Sequence, residues 1–324
     1  MPYDLTNLLV IGISSRALFN LEEENRIFEE KTLEEYIQYQ LDHENESLKP
    51  GTAFPLVKGL LALNERHTHR LVEVIVMSKN SPDTGLRILN SIGHYGLDIT
   101  RTALTGGEPL APYLDAFDID LFLSKSESDV QAAIDAGFAA ALLYDPPADT
   151  SAKDDKVRIA FDADAVLFDE ESEAIYKQRG LEAFFENERN NADKPLPEGP
   201  FAKLLKTLSK MQQELDPREP PVRIAIVTAR NSPAHARVIK TLRAWGVRVD
   251  AAFFLGGVSK DKVLKAFGAQ IFFDDQEVHL GLASIVVPSG RVPYRIGSVL
   301  RELAESRPVE SENSETNNMA TEGT

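Results

Sequence analysis

Two aspartates at the end of one predicted strand are the residues of this chain best placed to do chemistry. Asp162 and Asp164 follow the strand-like run 158–161 and precede a hydrophobic turn. Apolar runs of this kind are typical of strands buried in parallel sheets, and such sheets bind ligands at the carboxyl ends of their strands. An Asp-x-Asp pair is common by itself, so the rest of the chain must decide whether it forms a site.

Other polar side chains follow neighbouring predicted strands in the same half of the chain. Thr228 follows one strand, Asp274 and Asp275 follow another, and Lys260 begins a helix after a Gly-Gly pair. A parallel sheet brings the carboxyl ends of its strands to one edge. We therefore expect a site that combines four carboxylates, one hydroxyl and one ammonium group.

This set of residues favours Mg²⁺-dependent phosphoryl chemistry. Oxygen ligands without cysteine or clustered histidine suit Mg²⁺, and the chain has no cysteine. The metal ion bridges carboxylate and phosphate oxygens and offsets their repulsion. A lysine, a hydroxyl and backbone N–H groups hold the remaining phosphate oxygens, and Lys262 is an alternative to Lys260 as that lysine.

Strand-like and helix-like segments alternate through both halves of the chain, which predicts an α/β fold built from parallel βαβ units. The predicted strands are 7–13, 71–77, 99–104, 120–123 and 139–144 in the first half, and 157–161, 223–227, 251–255, 270–273 and 284–287 in the second. Pro82 is predicted to lie in the first turn of a helix that ends near Tyr95.

Similar residues recur at a separation of about 150 residues, which indicates a tandem duplication. The matching segments are Asn80-Ser81-Pro82 with Asn231-Ser232-Pro233, Tyr95-Gly96 with Trp245-Gly246, and Gly106-Gly107 with Gly256-Gly257. In this alignment Ile13 and Ser15 take the places of Asp162 and Asp164. The first copy keeps the turns and lacks the acids, so we expect only the second copy to bind metal.

We predict three regions along the chain. Residues 1–150 form a degenerate, non-catalytic domain, and residues 151–300 form a catalytic domain with a cap insertion at about 169–222. Residues 301–324 are rich in Glu, Ser, Asn and Thr. Such a segment buries too little apolar surface to offset its ordering entropy, and we expect a disordered acidic tail.

Composition argues against several classes of protein. The formal net charge is −16 and the pI is about 4.9, which disfavours binding to nucleic acid polymers or to anionic membranes. The sequence has neither an apolar run of transmembrane length nor a basic region typical of a signal peptide. With its lack of cysteine, this predicts a cytoplasmic protein, and the sequence leaves open whether it is a homo-oligomer.

The segments described above resemble the signature motifs of the haloacid dehalogenase-like (HAD) phosphatase superfamily. More narrowly, about residues 7–290 resemble the cytosolic 5′-nucleotidase I family. The residues that carry the resemblance are Ile13–Phe19, Asn80–Arg87, Tyr95–Arg101, Phe161–Phe168, Val227–Arg230 and Phe272–Gln276. It implies a HAD-like Rossmannoid sheet and Mg²⁺-dependent hydrolysis of nucleoside 5′-monophosphates. Asp169 departs from the expected small polar residue, but it lies beyond the two acids.

The resemblance also implies individual roles. Asp162 would attack the phosphorus atom and form an aspartyl-phosphate, and Asp164 would protonate the leaving oxygen and then activate water. The implied metal ligands are Asp162, Asp164 through its carbonyl, Asp274 and, in support, Asp275. The implied phosphate-binding residues are Thr228, Ala229 and Lys260.

Two segments are candidates for nucleoside recognition. Phe184, in the predicted cap, either stacks on the base or forms the small core of the cap. Asn80 and Ser81 either contact the nucleoside or only cap the helix that follows them. Two other functions stay open at this stage: a phosphatase for another small phosphoester, such as a sugar phosphate, and a non-catalytic nucleotide sensor.

Overall fold

The computed structural model describes residues 4–148, 155–215 and 218–306. The chain divides after Pro146 into two compact units, each with helices and a parallel sheet, which confirms the predicted α/β class. The predicted boundary after residue 150 lies outside the described residues. Within the described ranges, no helix combines the length and the apolar character needed to cross a membrane.

The first unit is built on a parallel sheet whose central strands are buried along their whole length. Its strands are β1 (Leu9–Ser14), β2 (Phe19–Asn20), β3 (Lys49–Pro50), β4 (Val72–Ser78), β5 (Arg101–Leu104), β6 (Leu121–Ser124) and β7 (Ala140–Leu143). Its helices are α1 (Ser15–Leu18), α2 (Glu22–Glu30), α3 (Leu33–Asp42), α4 (Phe54–Glu65), α5 (Leu86–His94), α6 (Ala111–Ala116) and α7 (Glu127–Asp135). The sheet order is β7-β6-β1-β4-β5, while β2 and β3 form a separate antiparallel pair.

The second unit contains five parallel strands and a helical insertion after its first strand. Its strands are β8 (Val157–Phe161), β9 (Val222–Thr228), β10 (Ala251–Phe254), β11 (Ile271–Asp274) and β12 (Ser289–Arg291). Its helices are α8 (Glu171–Asn190), α9 (Ala202–Glu214), α10 (His235–Ala244), α11 (Lys260–Phe267), α12 (Glu277–Ala283) and α13 (Val299–Ser306). The strand order is β12-β11-β8-β9-β10. If β2 and β3 are set aside and the strands of each unit are numbered along the chain, the strand order is the same in both units.

The strand registers show that the first-half residues expected to match Asp162 and Asp164 are wrong by one position. The register pairs are Leu9–Val72 and Ile11–Leu121 in the first sheet, and Val157–Val222 and Ile159–Ile271 in the second. Ser14 and Arg16 therefore occupy the positions of Asp162 and Asp164, and the expectation of Ile13 and Ser15 was wrong. The connections between the first and second long strands differ in length, so the sequence offset changes between them.

The helix that follows β4 begins later than predicted. It starts at Leu86, because residues 82–85 form a turn. The N–H of Gly85 donates to the Ser81 carbonyl (2.9 Å), and the N–H of Thr84 donates to Ser81 Oγ (3.2 Å). Pro82 therefore lies in this turn and not in the first turn of the helix.

The last predicted strand is also displaced. Residues 284–287 form a turn at the end of α12, where the N–H of Val287 donates to the Ala283 carbonyl (2.9 Å). The strand β12 begins after Pro288, and the short apolar run 285–287 that suggested a strand includes Ile285, which is 68% exposed.

The start of the predicted tail is helical. α13 extends to Ser306, and the Glu170 carboxylate accepts hydrogen bonds from the backbone N–H groups of Val299 and Leu300 (3.0 and 3.3 Å). The prediction of a disordered tail from residue 301 is therefore wrong for residues 301–306. The remainder of the tail, 307–324, lies outside the described residues.

Three buried phenylalanines fix the strand ends that carry the candidate site. Phe161, Phe201 and Phe273 have no exposed surface, and their ring centroids lie 5.1 to 6.3 Å apart. Phe161 and Phe273 immediately precede Asp162 and Asp274 in the sequence. Removal of one buried Phe side chain typically costs about 3–5 kcal/mol, so this cluster holds both aspartates in place.

Gly199 allows the chain to pass closely by the turn that carries Asp164. A Cβ atom at this position would lie 2.2 Å from the carbonyl oxygen of Phe168. We expect Gly199→Ala to lower the free energy of unfolding by about 1–3 kcal/mol, since the backbone must move; urea denaturation measures this. Gly93→Ala, in α5 with open space around the new Cβ, is the control and should stabilise the protein slightly. Equal effects of the two substitutions would contradict the close approach.

Candidate active site

Three buried aspartates meet at the carboxyl end of the second unit's sheet. Asp162 follows β8, Asp274 ends β11 and Asp275 comes next. Each offers a carboxylate oxygen, and these oxygens lie within 4.8 Å of one another. The N–H of Asp162 donates to the Phe273 carbonyl (2.8 Å), which ties the two strand ends together. We call Asp162, Asp274 and Asp275 the acidic cluster.

Lys260, the first residue of α11, places its ammonium group against this cluster. Its Nζ lies 2.9 Å from Asp162 Oδ1 and 2.7 Å from Asp274 Oδ2. Burial favours neutral lysine, but the two carboxylates outweigh it and raise the pKa of Lys260. The alternative lysine, Lys262, is exposed and lines a separate cavity of about 520 Å³.

The acidic cluster carries more negative charge than Lys260 balances. Burial raises the pKa of Asp162 to about 6 against the opposing effect of Lys260, and burial together with Asp274 raises the pKa of Asp275 well above its usual range. Among the described residues, Asp275 Oδ1 accepts no hydrogen bond, and Asp162 Oδ1 has the Lys260 ammonium group at 2.9 Å as its ionic partner. Buried carboxylate oxygens, with no nitrogen or sulfur among the three ligand atoms, suit a Mg²⁺ ion.

Asp164 lies on a wide turn, apart from the acidic cluster. The turn spans Ala163–Leu167 and is closed by a hydrogen bond from the Phe168 N–H to the Ala163 carbonyl (2.9 Å). Ala165 within it has φ +56°, a region that residues with a side chain rarely adopt. The Asp164 carboxylate is bound by Arg230, so the metal role predicted for this residue rests on its carbonyl alone and stays a prediction.

Arg230 belongs to a buried ionic network that the sequence reasoning missed. It donates to Asp164 and to Glu188, and Glu188 also accepts from Arg237 and Ser172. Arg230 lies in a segment that carried the family resemblance, which was a usable signal. Nothing in the local sequence around Glu188 indicates that it pairs with residues 42 and 49 positions away.

Thr228 and Ala229 lie at the same edge of the sheet as Asp162, because β9 pairs with β8. Thr228 is buried and its Oγ1 accepts a hydrogen bond from the N–H of Arg230 (3.2 Å), whereas Ala229 is exposed. The Thr228 hydroxyl therefore stabilises the loop after β9. The phosphate-binding roles of Thr228 and Ala229 stay predictions.

Phe184 is in the interior of the insertion. It is 7% exposed, its ring centroid lies 5.6 Å from that of Phe185, and Arg230 Cζ lies 5.3 Å from the ring. With these contacts Phe184 forms part of the small core of the insertion, which is the second of the two roles expected for it. Its stacking on a base stays a prediction.

Asn80 and Ser81 lie in the first unit and use their side chains in the turn before α5. Asn80 Nδ2 donates to the Thr84 carbonyl (3.3 Å), and Ser81 Oγ lies 3.1 Å from Thr84 Oγ1. These contacts stabilise the turn. Contact of Asn80 and Ser81 with a nucleoside stays a prediction.

A further acid near the site, Glu173 on α8, was also missed by the sequence reasoning. Burial, followed by the charge of Asp164, raises the pKa of Glu173 from its usual 4.5 to about 7. Its carboxylate accepts a hydrogen bond from the Gln276 side chain (3.2 Å) and lies 3.6 Å from Lys177 Nζ. Glu173 therefore binds a proton near neutral pH when the protein is folded.

This shift predicts how stability depends on pH. Between pH 4.5 and about 7 the folded protein holds a proton on Glu173 that the unfolded chain has lost, so the free energy of unfolding falls as pH rises. We expect Glu173→Gln to reduce this fall in urea titrations between pH 5 and pH 8 with a chelator present. Glu186→Gln, exposed in the part of α8 beyond the kink at Gly180, serves as the control. An unchanged slope in Glu173→Gln would show that Glu173 titrates normally.

The fold and the site define an α/β protein with a buried acidic cluster at the strand ends of a parallel sheet. A profile of the 5′-nucleotidase family matches residues 1–299, and the chain belongs to this family. It is 39% identical over 285 residues to human cytosolic 5′-nucleotidase 1B, a match that covers 85% of this chain and 47% of that protein. The chain thus spans about half the length of this relative. No solved structure matches the chain. The family expected from the sequence motifs is confirmed.

Proposed function

We propose that the protein is a Mg²⁺-dependent 5′-nucleotidase that hydrolyses nucleoside 5′-monophosphates to nucleoside and phosphate. The observation that carries the proposal is the buried acidic cluster with Lys260 held against it. Membership of the 5′-nucleotidase family supports the choice of substrate. The similarity to a human protein named as a cytosolic 5′-nucleotidase supports it further.

The proposed reaction has two steps. In the first, a carboxylate oxygen of Asp162 attacks the phosphorus atom, the bond from phosphorus to the 5′-oxygen breaks, and Asp164 gives its proton to that oxygen. In the second, Asp164 takes a proton from water, the water oxygen attacks the phosphorus atom, and the aspartyl-phosphate bond breaks. Phosphate leaves, and both aspartates return to their starting states.

The charges at the site support this assignment. Asp162, Asp274 and Asp275 would hold Mg²⁺, which when bound offsets the repulsion between the attacking carboxylate and the phosphate. Lys260 adds a positive charge that lies against Asp162. We assign the phosphate oxygens to Lys260, the Thr228 hydroxyl and the backbone of Ala229, at the same edge of the sheet.

We further propose that the chain is a tandem duplication in which only the second copy is catalytic. The support is the strand order that the two sheets share. At the positions of Asp162 and Asp164 the first copy has Ser14 and Arg16, which cannot supply a nucleophile and an acid of this kind. Residues 169–222 serve as the cap in this proposal.

Substrate recognition and location complete the proposal. We assign Phe184 in the cap, and Asn80 and Ser81 in the first copy, to nucleoside recognition. A cytoplasmic location agrees with the acidic, cysteine-free composition and with the word cytosolic in the name of the human relative.

The decisive experiment measures phosphate release from a panel of nucleoside monophosphates and sugar phosphates, with Mg²⁺ and with a chelator. We expect turnover of nucleoside 5′-monophosphates that depends on Mg²⁺. Asp162→Asn should reduce turnover by at least about 10³-fold, since it removes the nucleophile. Asp115→Asn, an exposed aspartate on α6, is the matched control and should turn over like the wild type.

The same panel separates the other functions. Preferential hydrolysis of sugar phosphates would replace the nucleotidase with a phosphatase for another phosphoester. Nucleotide binding without any turnover would indicate a sensor. If Asp162→Asn keeps normal turnover, a different residue must be the nucleophile.

A further inference from the structure

We propose that Arg230 is the positioning residue for Asp164, and that Glu188 on the insertion helix α8 fixes Arg230 in turn. This inference rests on the proposed function, because it takes Asp164 as the acid and base of that reaction. It concerns the protonation of the leaving group and not the attack on phosphorus.

Arg230 holds the Asp164 carboxylate with two parallel hydrogen bonds. Nε donates to Oδ2 at 2.7 Å, and Nη2 donates to Oδ1 at 2.5 Å. A bidentate pair of this kind fixes the plane of the carboxylate as well as its position. Each carboxylate oxygen has two lone pairs, so one on each oxygen stays available for proton exchange with a substrate or with water.

Arg230 is itself held on its other side. Its Nη1 donates to Glu188 Oε2 at 2.6 Å, and Glu188 Oε1 accepts from Ser172 Oγ and from Arg237 Nη1, both at 2.9 Å. Arg230 is 5% exposed and Glu188 1%. A buried ion pair is costly to break, so the guanidinium has one orientation, and that orientation faces Asp164.

The network joins segments that lie far apart in the sequence. Asp164 is on the turn after β8, Arg230 is on the loop after β9, and Glu188 is on the insertion. Arg230 therefore links the side chain of Glu188 on the insertion to the side chain of the proposed acid. Phe184, also on α8, lies with its ring centroid 5.3 Å from Arg230 Cζ and covers the guanidinium.

The nucleophile has its own, separate support. Asp162 is positioned by Lys260 and by the backbone of Phe273. Misplacement of a catalytic group by about 1 Å costs about 10²-fold in rate. Loss of the Arg230 clamp should therefore slow the protonation of the leaving group and leave the attack by Asp162 nearly intact.

The test compares two substrates in single turnover with Mg²⁺ present. One is the nucleoside 5′-monophosphate that turns over fastest, and the other is the same nucleoside with sulfur in place of its 5′-bridging oxygen. A thiolate is a much weaker base than an alkoxide and leaves without a proton. Arg230→Lys keeps the charge but cannot form the bidentate pair. We expect it to slow release of the normal nucleoside by about 10²-fold and release of the thionucleoside by less than about 3-fold.

Glu188→Gln provides a second variant if Arg230→Lys does not fold. It should show the same dependence on the leaving group with a smaller loss, since Arg230 keeps its contacts with Asp164. Arg70→Lys is the matched control, because Arg70 also pairs with two carboxylates, Glu73 and Asp98, each at 2.8 Å. It should leave the ratio of the two release rates unchanged.

Equal slowing of both substrates would show that Arg230 acts only on the structure of the site, and no slowing would show that it does not position Asp164. Either result overturns the inference while the proposed function stands. If the wild-type protein releases no nucleoside from any monophosphate, the proposed function itself fails, and the inference fails with it.

Discussion

The structure of the second unit depends on the burial of like charges at one edge of a sheet. Asp162, Asp274 and Asp275 are each less than 7% exposed, and their oxygens lie within hydrogen-bonding range of few partners. Carboxylates repel one another strongly where water is excluded. Lys260 offsets part of that repulsion, while burial and then the neighbouring acids keep the pKa values of Asp162 and Asp275 raised. A bound cation would stabilise an arrangement of this kind, which connects its electrostatics to the proposed chemistry.

Holding these acids together requires a rigid frame. The parallel pairing of β8 with β9 and β11 sets the strand ends side by side, and the cluster of Phe161, Phe201 and Phe273 fills the space beside them. Tyr294 adds a hydrogen bond of 2.5 Å to Asp275. The turn that carries Asp164 is strained, because Ala165 within it adopts a positive φ. Strained backbone of this type is commonly found where a functional side chain must be aimed.

The first unit shows what the same sheet order looks like without that charge. By register, Ser124 and Lys125 match Asp274 and Asp275, so a hydroxyl and a cation replace two acids. Lys125 pairs with two carboxylates, those of Glu22 and Asp145, whose side chains are 41% and 83% exposed and not buried. The backbone arrangement of the strands is thus compatible with very different electrostatics, and the side chains at the strand ends decide which unit has reason to bind a metal ion.

The amino-acid sequence by itself determined the α/β class, the family and the set of acids at the strand ends of the second unit. These features depend on local patterns: apolar runs, the residues that follow them, and short motifs. Only the tertiary structure decided that Asp164 pairs with Arg230 and Arg230 with Glu188, since these residues lie 66 and 42 positions apart. It also decided that Ser14, and not Ile13, matches Asp162, because register depends on strand pairing and not on sequence spacing. Long-range ion pairs and registers follow from the paths of the connecting loops, which local patterns do not specify.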